Sequence, residues 1–349
     1  MRKILWAWLL GLGVAVAGMA PVTDAVAQEG VRKVGDKTAQ VSKQRKSKHS
    51  IKSAQRLHKS GKASKRKVSR INRAQQRDLS EYKTLNGQPV LRSAYALVLD
   101  QRTGELLYEK GAQKRTPIAS ITKLMTAMVV LDANLPMDEP ITIAEADVDH
   151  LKYTRSRLPV GTRMSRGDLM HLALIASENR AAAALSREYP GGRDAFVAAM
   201  NRKADTLGMK DTEFHDGTGL SRSNLSTARD LARMVDAAYR YDAVREISSM
   251  GSYDMMLPSR RSMRELAYNN TNPLTRRKDW EIGVSKTGFI NEAGHCLVMQ
   301  ARISHQPLII VLLDSQGKYS RIGDANRIRR WIEEGPAQHI ADRRKGRTT

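Results

Sequence analysis

Cysteine is almost absent from this chain of 349 residues. Cys296 stands alone and cannot close an intrachain bridge, which excludes a disulfide scaffold, and it cannot furnish a cysteine zinc site or an iron–sulfur centre. The eight histidines are scattered without an HExxH or comparable pairing, so neither a metal nor a cofactor is expected. Aromatics are scarce, at 5%. Long apolar runs are missing after residue 20; the longest candidate, Pro307 to Leu313, has the length of a strand. Acidic side chains are outnumbered, 36 against 59 Lys and Arg, and the excess is concentrated. Residues 28–77 hold 17 Lys/Arg and 2 acids, a net +15 of the chain's +23.

What is present begins with a targeting layout. Arg2 and Lys3 precede an apolar run from Ile4 to Ala20, and Ala25-Val26-Ala27 offers small residues before a cut at Gln28. This reads as a signal peptide over residues 1–27, with Gly11, Gly13 and Gly18 arguing against a permanent membrane span. The mature chain is expected in the periplasm. Residues 28–85 are rich in Lys, Arg, Ser and Gln, with Tyr82 the only aromatic, and cannot bury enough surface to offset their ordering entropy. They are expected to form a basic, disordered linker. Export removes nucleic acid as a partner, and the linker lacks stacking aromatics, which leaves anionic polymers of the envelope as its candidate partners.

The texture changes at Ser93. Ala94 to Asp100 and Glu105 to Lys110 read as two strands across a turn, and Ser120 to Leu131 as an amphipathic helix. Helices are expected over Arg166 to Ala176, Asn179 to Arg187, Arg193 to Leu207 and Thr227 to Tyr239, the last capped by Ser226. Strands return at Trp280 to Thr287, Gly294 to Ile303 and Leu308 to Leu313, before a helix from about Ile322 to Glu334. Strands at both ends around a helical middle suggest one sheet assembled from the two chain ends. The folded domain is expected over 86–335, with a basic tail over 336–349.

A serine hydroxyl is inert until a neighbouring base takes its proton, and Ser-x-x-Lys on a helix puts hydroxyl and amine on one face. Alone the pattern is weak. It occurs at Ser64/Lys67, Ser80/Lys83, Ser120/Lys123 and Ser315/Lys318, and only Ser120/Lys123 opens a helix after a hairpin. Ser177-Glu178-Asn179 is the only Ser-x-Asn in the chain and lies where one helical run breaks before another. Lys286-Thr287-Gly288 is the only Lys-Thr-Gly and lies on a strand. The three follow one another at intervals of 57 and 109 residues, an order that coincidence does not readily supply.

This set resembles the signature of the penicillin-binding proteins and serine β-lactamases. The likeness extends over about residues 90–335, and Ser156-Arg-Leu-Pro-Val-Gly161 and Leu172 to Ala181 are similar to the low-molecular-mass D,D-peptidases. The resemblance implies a mixed α/β fold, an antiparallel sheet flanked by helices with a helical subdomain. It implies a D,D-peptidase acting on peptidoglycan peptide crosslinks through an acyl-enzyme, with β-lactams as covalent inhibitors. Ser120 would be the nucleophile, Lys123 its base, and Ser177 the relay to the leaving amine. Asn179 would hold the substrate backbone, Lys286 supply positive potential and Thr287 bind a carboxylate. Gly288 would leave the strand edge open to substrate, and the backbone N–H groups of Ser120 and Phe289 would form the oxyanion hole. Glu178 stands where the signature has Asp, and Phe289 where more polar residues are common. No segment matches the additional glutamate of class A β-lactamases. Only 63 residues follow Lys286, too few for the second domain and anchor common in carboxypeptidases, which favours an endopeptidase. The alternatives are a carboxypeptidase and, in a different class, a non-catalytic cell-wall-binding protein.

Overall fold

Along the strand Ser93–Asp100 (β1), Tyr95, Leu97 and Leu99 turn to one face while Ala96 and Val98 turn to the other, the period of two that a pleated strand requires. Both faces are buried. The same holds for Gln306–Ser315 (β7), where Ile309, Val311 and Leu313 join one core and Leu308, Ile310 and Leu312 the other. This is why Pro307 to Leu313 reads as a continuous apolar run. A computed structural model describes residues 84–85, 87–258 and 262–345. The signal layout and the basic segment lie outside the described residues, except that Thr84–Leu85 pair with Gln88–Pro89.

The central sheet has five antiparallel strands. Two come early in the chain, β1 and Leu106–Lys110 (β2); three come late, Glu281–Ile290 (β5), Gly294–Ile303 (β6) and β7. Their order is β5-β6-β7-β1-β2, so the early and late parts of the chain meet where β7 pairs with β1, Ile310 opposite Val98. β5, which carries Lys286, is therefore an edge strand. Between these two sets runs the helical part: Thr122–Asp132 (α1), Arg166–Ile175 (α2), Asn179–Arg187 (α3), Gly192–Thr206 (α4), Ala228–Tyr239 (α5) and Asp242–Ser249 (α6). A last helix, Ser320–Lys345 (α7), broken at Gly335, covers the opposite sheet face with Ala325 and Ile328. Buried Asp324 ties α7 to β1, accepting hydrogen bonds from Ser93 N at 2.7 Å and Ser93 Oγ at 2.6 Å.

Three details differ from the sequence expectation. Thr227, not Ser226, caps α5, its hydroxyl accepting from Asp230 N at 3.1 Å; Ser226 lies instead in a short strand paired with Thr116. Helix α1 is not amphipathic. Thr122 through Val130 are all buried, Lys123 and Thr126 included, because α1 runs through the centre of the molecule. Ser252–Pro258 (β3) and Met263–Asn269 (β4) form a separate antiparallel hairpin in a stretch where the sequence reading named no element. Its signal was present: half-buried Tyr253 and Met255 and buried Leu257 alternate with exposed Ser252, Asp254 and Met256.

Candidate active site

Ser120 lies in a tight turn, Ala119–Ile121, that leads directly into α1. Ala119 adopts φ +49°, a left-handed conformation unfavourable for a residue with a side chain, and strain of this kind persists only where its surroundings enforce it. Two glycines let those surroundings close in. A Cβ on Gly219, itself at φ +80°, would fall 2.1 Å from Ala119 O. A Cβ on Gly288 would fall 2.9 Å from Ile118 O and 3.1 Å from Ser120 N. What Gly288 immediately makes room for is thus the serine's own turn, which it brings against the edge strand beside Phe289.

Lys123 follows one helical turn after Ser120 and is wholly buried. Its Nζ lies 2.9 Å from Ser120 Oγ, 2.7 Å from Asn179 Oδ1 and 2.6 Å from Thr218 O. Burial drives its pKa down to about 7, against the opposing pull of Asp216, Glu178 and Asp149. A neutral amine has two N–H bonds and one lone pair. Asn179 Oδ1 and Thr218 O can only accept, so they take both protons and leave the lone pair for the hydroxyl proton of Ser120.

Lys286 is the second buried lysine, and it reaches Ser177 Oγ and Thr287 O, each at 2.9 Å. Burial, and then the charges of Lys123 and Arg321, hold its pKa well below the ordinary lysine value. Ser177 sits in the break between α2 and α3 at φ +59°, and Glu178 caps α3. Thr287 Oγ1 donates to Thr271 Oγ1 at 2.6 Å, and Asn179 Nδ2 to Thr154 Oγ1 at 2.9 Å. All seven residues singled out from the three motifs therefore gather in one place, between the edge strand and the helical part. Phe289 is exposed and stacks on His295.

Several contributors escaped the sequence reading. Thr154, Thr218 and Thr271 contact the site from distant segments, two through hydroxyls and one through a carbonyl, and carry no motif. Asp216-Gly-Thr-Gly-Leu220 did carry a turn signal; the Asp216 carboxylate accepts from Thr218 N at 2.6 Å and Ser221 N at 2.7 Å, fixing the loop that presents Thr218 O. Arg321 is half-buried, close enough for its charge to act on Lys286, and its buried Nε has no hydrogen-bond partner.

Among solved structures, the Streptomyces K15 DD-transpeptidase superposes with a TM-score of 0.65 at 29% identity, covering 70% of this chain and 97% of that one. The D-alanyl-D-alanine carboxypeptidase from Mycobacterium tuberculosis does so with 0.63 at 26% identity, covering 71% and 94%. Fold and site together put the protein in the class of serine D,D-peptidases. More narrowly, residues 82–317 match the family described as D-alanyl-D-alanine carboxypeptidase, and the chain belongs to that family. Relatives include the D-alanyl-D-alanine endopeptidases of Pseudomonas aeruginosa, 49% identical over 72% of this chain and 81% of that protein, and of Escherichia coli, 44% identical over 74% and 82%.

Proposed function

We propose that this protein is a D-alanyl-D-alanine endopeptidase that opens the peptide crosslinks of peptidoglycan through an acyl-enzyme on Ser120. The observation that carries the chemistry is the contact of a buried, low-pKa Lys123 amine with Ser120 Oγ. The choice of endopeptidase over carboxypeptidase, which needs the same site, rests on the two relatives so named. Lys123 takes the Ser120 proton as Oγ attacks the carbonyl carbon of the D-alanyl residue. The developing oxyanion is held by the N–H groups of Ser120 and Phe289. On collapse the C–N bond breaks, and Ser177, which donates its proton to the leaving amine while taking up the one that Lys123 removed from Ser120, relays it under the polarising hydrogen bond of Lys286. Water then cleaves the ester and frees Ser120. Asn179 holds the acyl side of the substrate, and Thr287, next to Lys286 on β5, takes a carboxylate on the leaving side, whose negative charge favours the protonated form of Lys286.

A strained β-lactam presents the same acyl group with a leaving amine that stays tethered, so it traps the ester. Incubation with benzylpenicillin should add its mass once and map it to Ser120, and Ser120→Ala should abolish the adduct. An adduct on another serine in that variant would refute the assignment. The remaining parts of the reading are export to the periplasm by residues 1–27, a basic linker over 28–85 that draws the 86–335 domain to anionic envelope polymers, and a basic tail over 336–349. Among the described residues no helix is long and apolar enough to cross a membrane.

A further inference from the structure

An ion pair links the two walls of the site. Lys152 Nζ lies 2.5 Å from Glu292 Oε1, one residue in the loop 149–154 of the helical part, the other in the turn that ends β5. Both are partly exposed, at 25% and 34%. The Lys152 hydrogen bond, with the nearby charge of Arg222, keeps the Glu292 carboxyl below its usual range. The loop is hung on the site itself. The Asp149 carboxylate accepts from Leu151 N at 2.8 Å, Lys152 N at 2.9 Å and Thr154 N at 2.9 Å, and Thr154 Oγ1 accepts from Asn179.

Two further features set this loop apart. Tyr153, next to Lys152, is 79% exposed yet held at φ +52°, a conformation that bulky side chains avoid. Behind the loop is a cavity of about 340 Å³, lined by Val148, Leu151, Asn179, Thr218 and Leu220 among others. The loop is anchored to the site at Thr154 and tied across the cleft by Lys152, on a backbone strained at Tyr153 and with a cavity behind it.

The direction of the substrate follows from the acyl-transfer reading above, on which this inference rests. With the leaving-side carboxylate at Thr287 and the attacked carbonyl at Phe289, the acyl segment continues along β5 toward Glu292. The geometry points to the Lys152–Glu292 pair as a clasp across the acyl end of the cleft, which the segment preceding the scissile bond must part. It selects among substrates by the bulk of that segment and leaves the reacting centre untouched. An exposed pair is weak enough to open on each encounter and is screened by salt.

The test uses the intact chain and two penicillins that differ only on the acyl side: 6-aminopenicillanic acid, which has a bare amine there, and benzylpenicillin, which has a phenylacetyl group. Second-order acylation rates are measured for wild type, Lys152→Met, Glu292→Gln and the charge-swapped Lys152→Glu/Glu292→Lys. Each single substitution should raise the benzylpenicillin to 6-aminopenicillanic acid rate ratio by up to about fivefold, equivalent to ~1 kcal/mol. The swap should return it toward wild type, and added salt should raise it in wild type but not in the single variants. If a single variant fails to fold, the swap and the wild-type salt series still decide. An unmoved ratio, or rates that change in parallel for both compounds, would overturn the clasp while leaving the acylation reading intact. Failure of both compounds to acylate the wild type would overturn the acylation reading and the clasp with it.

Discussion

A lysine amine serves as a base only if it arrives unprotonated, and the burial of Lys123, which lowers its pKa to about 7, makes the neutral amine accessible near neutral pH. The unfolded chain holds that proton up to a pKa of about 10.4, whereas the folded protein releases it near 7. Between those values the unfolded state binds more protons, so this group adds stability as pH rises from about 7 to 10.5 and withdraws it as pH falls back. Catalysis should follow the same proton. Acylation by benzylpenicillin should rise with pH along a limb centred near 7, and stopped-flow rates across pH 5 to 9 would show it. Lys123→Arg, which stays charged, should acylate slower by on the order of 10³-fold. An arginine variant at near wild-type rate would refute the assignment. The residue types and their order were legible because such chemistry leaves motifs. The lowered pKa and the aim of the lone pair were not: the first depends on the burial of Lys123 and the second on Thr218 O, a backbone acceptor that any residue could present as well.

At the scale of elements, the site depends on how closely a turn, a loop and an edge strand approach one another. Gly219 meets the turn of Ser120 with neither a side chain nor a permissible one, since its φ is +80° and its missing Cβ would overlap Ala119 O. Gly219→Ala should therefore lower the unfolding free energy measured by denaturant titration by about 1–3 kcal/mol and slow acylation at least tenfold. A fully active, equally stable variant would show that this approach is dispensable. Most elements could be read from periodicity, and Asn179–Arg187 and Gly294–Ile303 fall where the pattern put them. The failures have specific causes. Helix α1 looks one-sided in sequence because Lys123 and the threonines count as polar, yet their polar atoms find partners inside. The hairpin β3–β4 is only half-buried, so its alternation is carried by Tyr and Met rather than by a run of branched residues.

The whole molecule joins a sheet from both ends of its folded region to the candidate site at the sheet's edge, and the sequence pattern suggested the first but not the second. That β5 would be an edge strand depends on the pairing order, which no local pattern encodes. Charge acts at this scale too, since the excess of Lys and Arg over residues 28–77 can act over a Debye length of about 10 Å at 0.1 M salt. Deleting residues 28–77 should weaken sedimentation with isolated sacculi at low salt and leave hydrolysis of small muropeptides unchanged. Equal binding with and without the segment across a salt series would reduce it to a linker. The central claim concerns a bond rather than a charge. Purified crosslinked muropeptide dimers, incubated with wild type and with Ser120→Ala and separated by chromatography with mass detection, test it most directly. Wild type should convert dimers to monomers and the variant should leave them whole; dimers that survive the wild type while pentapeptide monomers lose free D-alanine would contradict the account.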